Sequence, residues 1–359
     1  MEVDRGALPD PGRGRRALDT PYLAPRGKAE QQVAGIFADV LGLERVGAHD
    51  DFFDLGGSSP DVQEAIRRLG EAFGREPDTA ELLQAPMPCS LAARMTGPTP
   101  GTGAVLLPLR RGNRPPVFFV PAPLAVGPVL LAYATLARRV PEGRVFLAFH
   151  PGESAPPGAD LVETALEAIR AAQPGGPYAV LGECAGGILA WEIARRLSAA
   201  GERVDLLALL DTPWPPDWRR RRRSRFRWLL PPGGDYLLRR AARHVRALRS
   251  LPIAQWPAYL RGKSGAALAA LRQARRPAVR EALRRRAWYA GGVAAIPLEP
   301  WSGHLRYIQS ADPRHEHDPE GWATLAGSIE VVRVPGDHTT YLGDHVDEVA
   351  AILGRWLDR

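Results

Sequence analysis

Cysteine is scarce in this chain: Cys89 and Cys184 are the only two. That scarcity excludes a disulfide framework and fits a reducing, cytoplasmic setting. No apolar run reaches the ~18 residues needed to cross a bilayer, so no membrane partner is expected. The first thirty residues hold no apolar core of the secretory kind, so no export signal is expected either. Lysine is nearly missing, with Lys28 and Lys263 the only two, and arginine carries the positive charge. With the abundant Ala, Gly and Pro, that usage reads as a GC-rich coding bias as much as a functional choice. The sequence shows no internal repeat.

What remains is a chain of 359 residues, 45% of them apolar, a length that suggests two or three domains with sizeable cores. The net charge of +7 is unevenly spread. Between Arg219 and Arg286 basic residues are dense, and Asp235 and Glu281 are the only acids.

Residues 1–21 are rich in Pro, Gly and Arg without periodicity and read as a flexible leader. Apolar residues at Val33, Ile36, Phe37, Val40 and Leu41 predict a helix over Lys28–Leu41. Further helices are predicted at Pro60–Phe73, Thr79–Leu83 and Ser90–Met95, giving a small four-helix bundle over 22–97. Cys89, at the start of the last of these, reads as a packing residue. A second Pro/Gly-rich stretch from Gly97 to Pro116 contains a linker, placed at 98–104.

Beyond it, short apolar runs predict strands at Val117–Val120, Val145–Phe149, Tyr178–Leu181, Leu206–Leu210, His304–Gln309 and Ile329–Val334. Helical patterns fall between and after them, at Pro128–Val140, Leu161–Gln173, Gly187–Ala200 and Val346–Leu357. Such alternation argues for a mostly parallel sheet with helices on both faces. Residues from Pro213 to about Glu299 break the rhythm with basic, amphipathic sequence.

Two short turns carry nucleophiles. In Asp54-Leu55-Gly56-Gly57-Ser58-Ser59, a Gly-Gly turn leads into a helix. Ser59 would present its hydroxyl where backbone N–H groups and the helix dipole favour a phosphate, although an N-cap serine after a glycine turn is common. In Gly182-Glu183-Cys184-Ala185-Gly186-Gly187, a strand runs through a glycine-flanked turn into a helix. That is the layout of a G-x-S-x-G nucleophile elbow with cysteine in place of serine. A buried structural cysteine is the plainer alternative, and the flanking glycines argue against it.

An acid and a histidine follow in the order that such elbows require. Asp211 directly follows the strand Leu206–Leu210, and His338 lies in Pro335-Gly336-Asp337-His338 after the strand Ile329–Val334. The imidazole would take the thiol proton while Asp211 sets its tautomer. Asp312, after His304–Gln309, is the alternative acid.

The run Asp50-Asp51-Phe52-Phe53-Asp54-Leu55-Gly56-Gly57-Ser58-Ser59, with Pro21-Tyr22-Leu23-Ala24-Pro25-Arg26 ahead of it, resembles the phosphopantetheine site of peptidyl carrier domains from nonribosomal peptide synthetases. The resemblance covers residues 22–97 and implies covalent 4'-phosphopantetheine on Ser59, attached by a phosphopantetheinyl transferase. It departs from the family at Pro60, where leucine is usual. The leader segment Val3-Asp4-Arg5-Gly6-Ala7-Leu8-Pro9 resembles the tail of an adenylation domain. Glu2 precedes it where that motif has lysine nearby, so no adenylation activity is inferred.

Residues 105–359 resemble the thioesterase domains that terminate these synthetases, members of the α/β-hydrolase superfamily. Leu107-Pro108-Leu109-Arg110, the elbow, Leu210-Asp211-Thr212 and Gly336-Asp337-His338 carry the match. The resemblance implies a helical lid at about 213–300 and catalytic Cys184, Asp211 and His338. It also implies an oxyanion hole of the Ala185 N–H with a second donor near Pro123. Proline has no N–H, so Ala122 or Leu124 would supply it.

The basic stretch from Trp218 through Arg219–Arg223 reads as lid surface rather than a nucleic-acid patch. Arg314-His315-Glu316-His317-Asp318 lacks a third ligand cluster, so no metal site is expected there. The expected protein is a carrier–thioesterase didomain. It would be loaded by an upstream nonribosomal peptide synthetase module or adenylating enzyme, and would release its acyl group by hydrolysis, cyclisation or aminolysis. An aminoacyl shuttle between carrier proteins and a non-catalytic carrier or docking protein are the alternatives.

Overall fold

The computed structural model describes residue 14 and residues 21–97, 106–122, 128–141, 143–150, 160–214, 288–311, 319–338 and 340–358. Nearly all of the leader, the linker, Pro123, Leu124, most of the expected lid, Asp312 and the 314–318 segment lie outside the described residues. The chain divides into two compact units, Met1–Val117 with Ala125–Ser154 and Thr339–Arg359, and Phe118–Leu124 with Ala155–His338.

The first unit opens with four helices, α1 (Gly27–Leu41), α2 (Ser59–Phe73), α3 (Thr79–Gln84) and α4 (Pro88–Thr96). Helix α1 buries Val33, Ala34, Phe37 and Ala38 on one face and stops at Gly42, whose φ of +67° is easy only for glycine. Helix α2 buries Val62, Ala65 and Leu69, and α1 packs against both α2 and α4. Asp78 caps α3 by accepting the Glu81 N–H at 2.7 Å. Phe52 is fully buried, with its ring centroid 4.7 Å from that of Phe37.

The same unit contains β1 (Leu106–Arg110) and β3 (Arg144–Phe149), which run antiparallel, and α5 (Pro128–Arg139), which packs against a C-terminal helix (Val346–Leu357). An ion pair of 2.9 Å joins Arg139 to Asp347 across those two helices. Strand β1 falls where the sequence suggested only linker and lead-in. Its central proline hides it from a strand pattern, yet proline is tolerated on an edge strand, and β1 ends the sheet.

Strand β2 (Arg114–Val120) precedes β3, and among the described residues seven strands form one mixed sheet in the order β1-β3-β2-β4-β5-β6-β7. In the second unit β4 (Tyr178–Glu183), β5 (Val204–Leu210), β6 (Trp301–Ser310) and β7 (Ala326–Val334) are parallel. Helices α6 (Leu161–Ala172), α7 (Gly186–Ala199) and α8 (Pro319–Ala323) belong to this unit, and α9 is the Val346–Leu357 helix of the first. Residues Leu206–Leu210 are all buried, as are Ile188 to Ala194 of α7. Each such aliphatic side chain contributes about 1.5–3 kcal/mol of burial.

Register, more than burial, positions the site. Glu183 pairs with Leu210, Leu210 with Ile308, and Ser310 with Val334. The carboxyl ends of β4 to β7 therefore reach one edge together, where parallel sheets place their chemistry. Among the described residues no helix is long and apolar enough to cross a membrane.

Candidate active site

Strand β4 is buried along its whole length and delivers the chain into the elbow. Cys184 has φ +50°, a left-handed conformation that costs a non-glycine residue about 1–3 kcal/mol. The fold holds it there: its N–H donates to the Leu210 carbonyl at 3.0 Å, and its own carbonyl accepts the Gly187 N–H at 3.1 Å. A Cβ on Gly186 would collide with the Val120 and Pro121 carbonyl oxygens, and one on Gly182 with the backbone of Gly187. Small residues at these positions are a steric requirement of the turn.

Asp211 is the other strained non-glycine residue among those described, with φ +45°. It is fully buried, one residue beyond β5, and its N–H donates to the Ile308 carbonyl at 2.7 Å. Its carboxylate accepts the Ser310 N–H and the Ser310 hydroxyl, both at 3.0 Å. The His338 Nδ1 lies 2.6 Å from Asp211 Oδ2. The segment after Asp211 is fixed by Tyr307, whose hydroxyl donates to the Thr212 carbonyl at 2.6 Å.

The Cys184 Sγ, a ring nitrogen of His338 and a carboxylate oxygen of Glu183 all lie within 4.8 Å of one another. Burial pushes the Cys184 thiol above its ordinary value and the Glu183 charge adds to this, while the hydrogen bond to His338 pulls it partly back. For His338, burial opposes the charged ring. The Asp211 hydrogen bond, with Cys184 and Glu183, outweighs that and holds the imidazole up to about 11. The Ala185 N–H, at the start of α7, is a further hydrogen-bond partner of the sulfur.

The structure therefore brings Cys184, His338 and Asp211 together as the sequence suggested. Ala122 lies directly after Pro121, whose carbonyl packs on Gly186. Two contributors were missed by sequence reasoning. Ser310 holds Asp211 from the adjacent strand, and only strand register could have revealed it. Glu183 was visible as the residue inside the elbow, but nothing in its spacing marked it as buried beside the sulfur.

In the carrier segment, Ser58 is the N-cap residue of α2. Its N–H and hydroxyl both reach Asp61 Oδ2, at 2.9 and 2.5 Å. Ser59 is the first helical residue and is partly exposed. The loop before it is locked by Asp51 Oδ1, which accepts the Phe53 N–H at 2.8 Å, and by the Gly57 N–H donating to Phe52 O at 3.0 Å. A Cβ on Gly57 would strike the Phe52 ring, so glycine is required where the chain folds over that aromatic.

The phosphopantetheine attachment site family matches residues 31–95, and the thioesterase domain family matches residues 116–357. The chain belongs to the thioesterase family. This thioesterase is 35% identical over 222 residues to malpinin synthetase of Mortierella alpina, covering 59% of the chain and 3% of that protein. It is 36% identical over 219 residues to the dimodular nonribosomal peptide synthase of Bacillus subtilis, covering 58% of the chain and 9% of that protein. A crystal structure of a four-domain nonribosomal peptide synthetase, holo-AB3403 bound to AMP and glycine, aligns with 99% of the chain and 28% of its own length. It does so with a TM-score of 0.53 and 25% identity. The thioesterase thus spans a small fraction of the length of these relatives.

A carrier domain ahead of a thioesterase domain carries covalently attached 4'-phosphopantetheine. The residues fit that group, because a serine hydroxyl stands partly exposed at the head of a 15-residue helix while its neighbour Ser58 is occupied by Asp61.

Proposed function

We propose that the chain is the carrier and releasing thioesterase of a nonribosomal peptide assembly, with Ser59 as the attachment site and Cys184 as the acyl-accepting nucleophile. Its domains are the carrier at 22–97 and the thioesterase at 105–359, with the lid at about 213–300. A phosphopantetheinyl transferase modifies Ser59, and an upstream synthetase module or adenylating enzyme supplies the acyl group. The arm contributes a flexible thiol that presents the acyl group as a thioester.

The observation carrying this reading is the elbow itself. Cys184 sits in a strained turn beside His338, and Asp211 holds the other side of that ring at 2.6 Å. The Cys184 sulfur, deprotonated with its proton on His338, attacks the carbonyl carbon of the acyl thioester. A new S–C bond forms and the carbonyl electron pair moves to oxygen, towards the Ala185 N–H. Collapse would break the bond from the acyl carbon to the incoming sulfur, and His338 would return its proton to that departing sulfur, leaving the ring neutral. In the second half an acceptor gives its proton to His338, attacks the acyl-cysteine and restores the thiol. Asp211 fixes the imidazole tautomer in both halves.

Cysteine in place of serine favours transfer. An acyl-cysteine is still a thioester, so the activation of the acyl group survives for an amine, a poised hydroxyl or another thiol. This supports a second reading, a shuttle that passes aminoacyl groups between carrier proteins. Replacing Cys184 with serine tests the point, since an oxoester reacts more slowly with amines and thiols. The serine variant should keep measurable hydrolysis and lose transfer to amine or thiol acceptors. Equal performance with every acceptor would make the cysteine incidental.

A further inference from the structure

The strained φ of +45° at Asp211 persists only if the fold fixes the peptides on either side of it. On the incoming side the Asp211 N–H donates to the Ile308 carbonyl. On the outgoing side the chain passes through Thr212, which is fully buried. A carbonyl oxygen has two lone pairs, and that of Thr212 accepts from two different elements. The Tyr307 hydroxyl of β6 donates to it at 2.6 Å, and the Trp322 indole N–H of α8 at 3.4 Å. The Thr212 side chain occupies the space a Cβ on Gly187 would need, against the first turn of the helix that follows Cys184.

Trp322 is itself held in place. It is fully buried, and its ring centroid lies 5.2 Å from that of Trp191 and 5.4 Å from that of Trp214. A Cβ on Gly321 would strike the Trp214 ring, so the chain three residues past Asp211 is seated closely on α8. Packing alone would not call for the Tyr307 hydroxyl. Tyr307 is fully buried, where phenylalanine would fill the same space without a polar group to desolvate.

We propose that Tyr307 and Trp322 are positioning residues for acyl transfer: by gripping the Thr212 carbonyl they keep Asp211 in its strained conformation, with its carboxylate on His338 Nδ1. This rests on the reading that Asp211 serves His338 in the transfer. The Ser310 contacts hold the carboxylate and not the backbone that delivers it. Without the grip on Thr212, the Asp211 backbone relaxes towards an ordinary conformation and the 2.6 Å contact with His338 loosens.

The test is a double-mutant cycle on the full holo protein, read by single-turnover transfer from the acyl-loaded arm to Cys184. Tyr307→Phe removes only the hydroxyl and should slow transfer about tenfold, the upper range for one hydrogen bond. In an Asp211→Asn background the same change should cost less than about twofold, because a residue acting through Asp211 has no carboxylate left to position. Trp322→Phe should follow the same pattern, and it carries the cycle if Tyr307→Phe does not fold. Titration of His338 by NMR gives a readout independent of activity. The Asp211 hydrogen bond raises the His338 pKa, so the ring should lose its proton at lower pH in Tyr307→Phe than in the wild type. A folded Tyr307→Phe protein with wild-type transfer overturns the proposal, even if its melting temperature falls. So does a loss equally large with and without the Asp211 carboxylate, or an unchanged His338 titration. Normal transfer by Asp211→Asn alone would remove the triad reading itself. A slow Asp211→Asn beside a normal Tyr307→Phe removes this inference alone.

Discussion

Replacing Asp211 with asparagine should slow acyl transfer by about 10²–10⁴, towards the low end because a thiol depends less on base assistance than a hydroxyl does. The size follows from what the carboxylate does. Asp211 is fully buried, and its carboxylate accepts from His338 Nδ1 at 2.6 Å and from the Ser310 N–H and hydroxyl at 3.0 Å. Asparagine keeps one oxygen. If that oxygen stays on His338, the amide group points its hydrogens at the Ser310 N–H. If it turns to Ser310, the amide donates to Nδ1, the ring proton moves to Nε2, and the imidazole can no longer accept from sulfur. The charge matters as well, since burial disfavours imidazolium and the Asp211 hydrogen bond is the strongest of the interactions that outweigh it. A carboxylate that raises a histidine's pKa releases it downwards when neutralised, so the Asn variant should lose imidazolium at lower pH than the wild type. The assay is single-turnover transfer from an acyl-loaded protein over a pH series, with the melting temperature measured alongside to separate chemistry from unfolding. Asp312→Asn in the same assay should change little. A large loss in Asp312→Asn with an active Asp211→Asn would place the acid after the later strand and refute the reasoning.

Treatment with coenzyme A and a phosphopantetheinyl transferase should add one arm, seen by intact mass. Ser59→Ala should abolish it and Ser58→Ala should retain it; label kept in the Ser59 variant would sink the carrier assignment. Alkylation of Cys184 should be slow at neutral pH and accelerate beyond the ordinary thiol range. Only the thiolate reacts, and burial and Glu183 raise the thiol's pKa. Glu183→Gln should move that profile to lower pH, and a wild-type profile at or below that of a free thiol would contradict the described electrostatics.

Much of the site was legible because its chemistry imposes steric demands on sequence. Gly182, Gly186 and Gly57 each stand where a Cβ would strike a neighbour, so the motifs around Cys184 and Ser59 survive as spacing. Asp211 and His338 were legible as residues just past predicted strands. Ser310 was not, because its role depends on β6 extending one residue past Gln309 beside β5. Glu183 was hidden for a related reason: the direction of a side chain at the last position of a strand depends on the turn that follows. Strand β1 was missed because an edge strand with a proline carries neither alternation nor a long apolar run. Helix limits moved by a residue or two, as capping governs them. Ser59 rather than Pro60 begins α2, because Ser58 and Asp61 close the first turn.

The most direct test of the account is to load the arm on Ser59 with an acyl group, quench during turnover, and map the acyl mass by peptide. A transient acyl group should appear on Cys184 in the wild-type protein. In Cys184→Ala acyl groups should accumulate on Ser59 without release. Release at the wild-type rate from Cys184→Ala, or turnover with no acyl group ever found on Cys184, would contradict it.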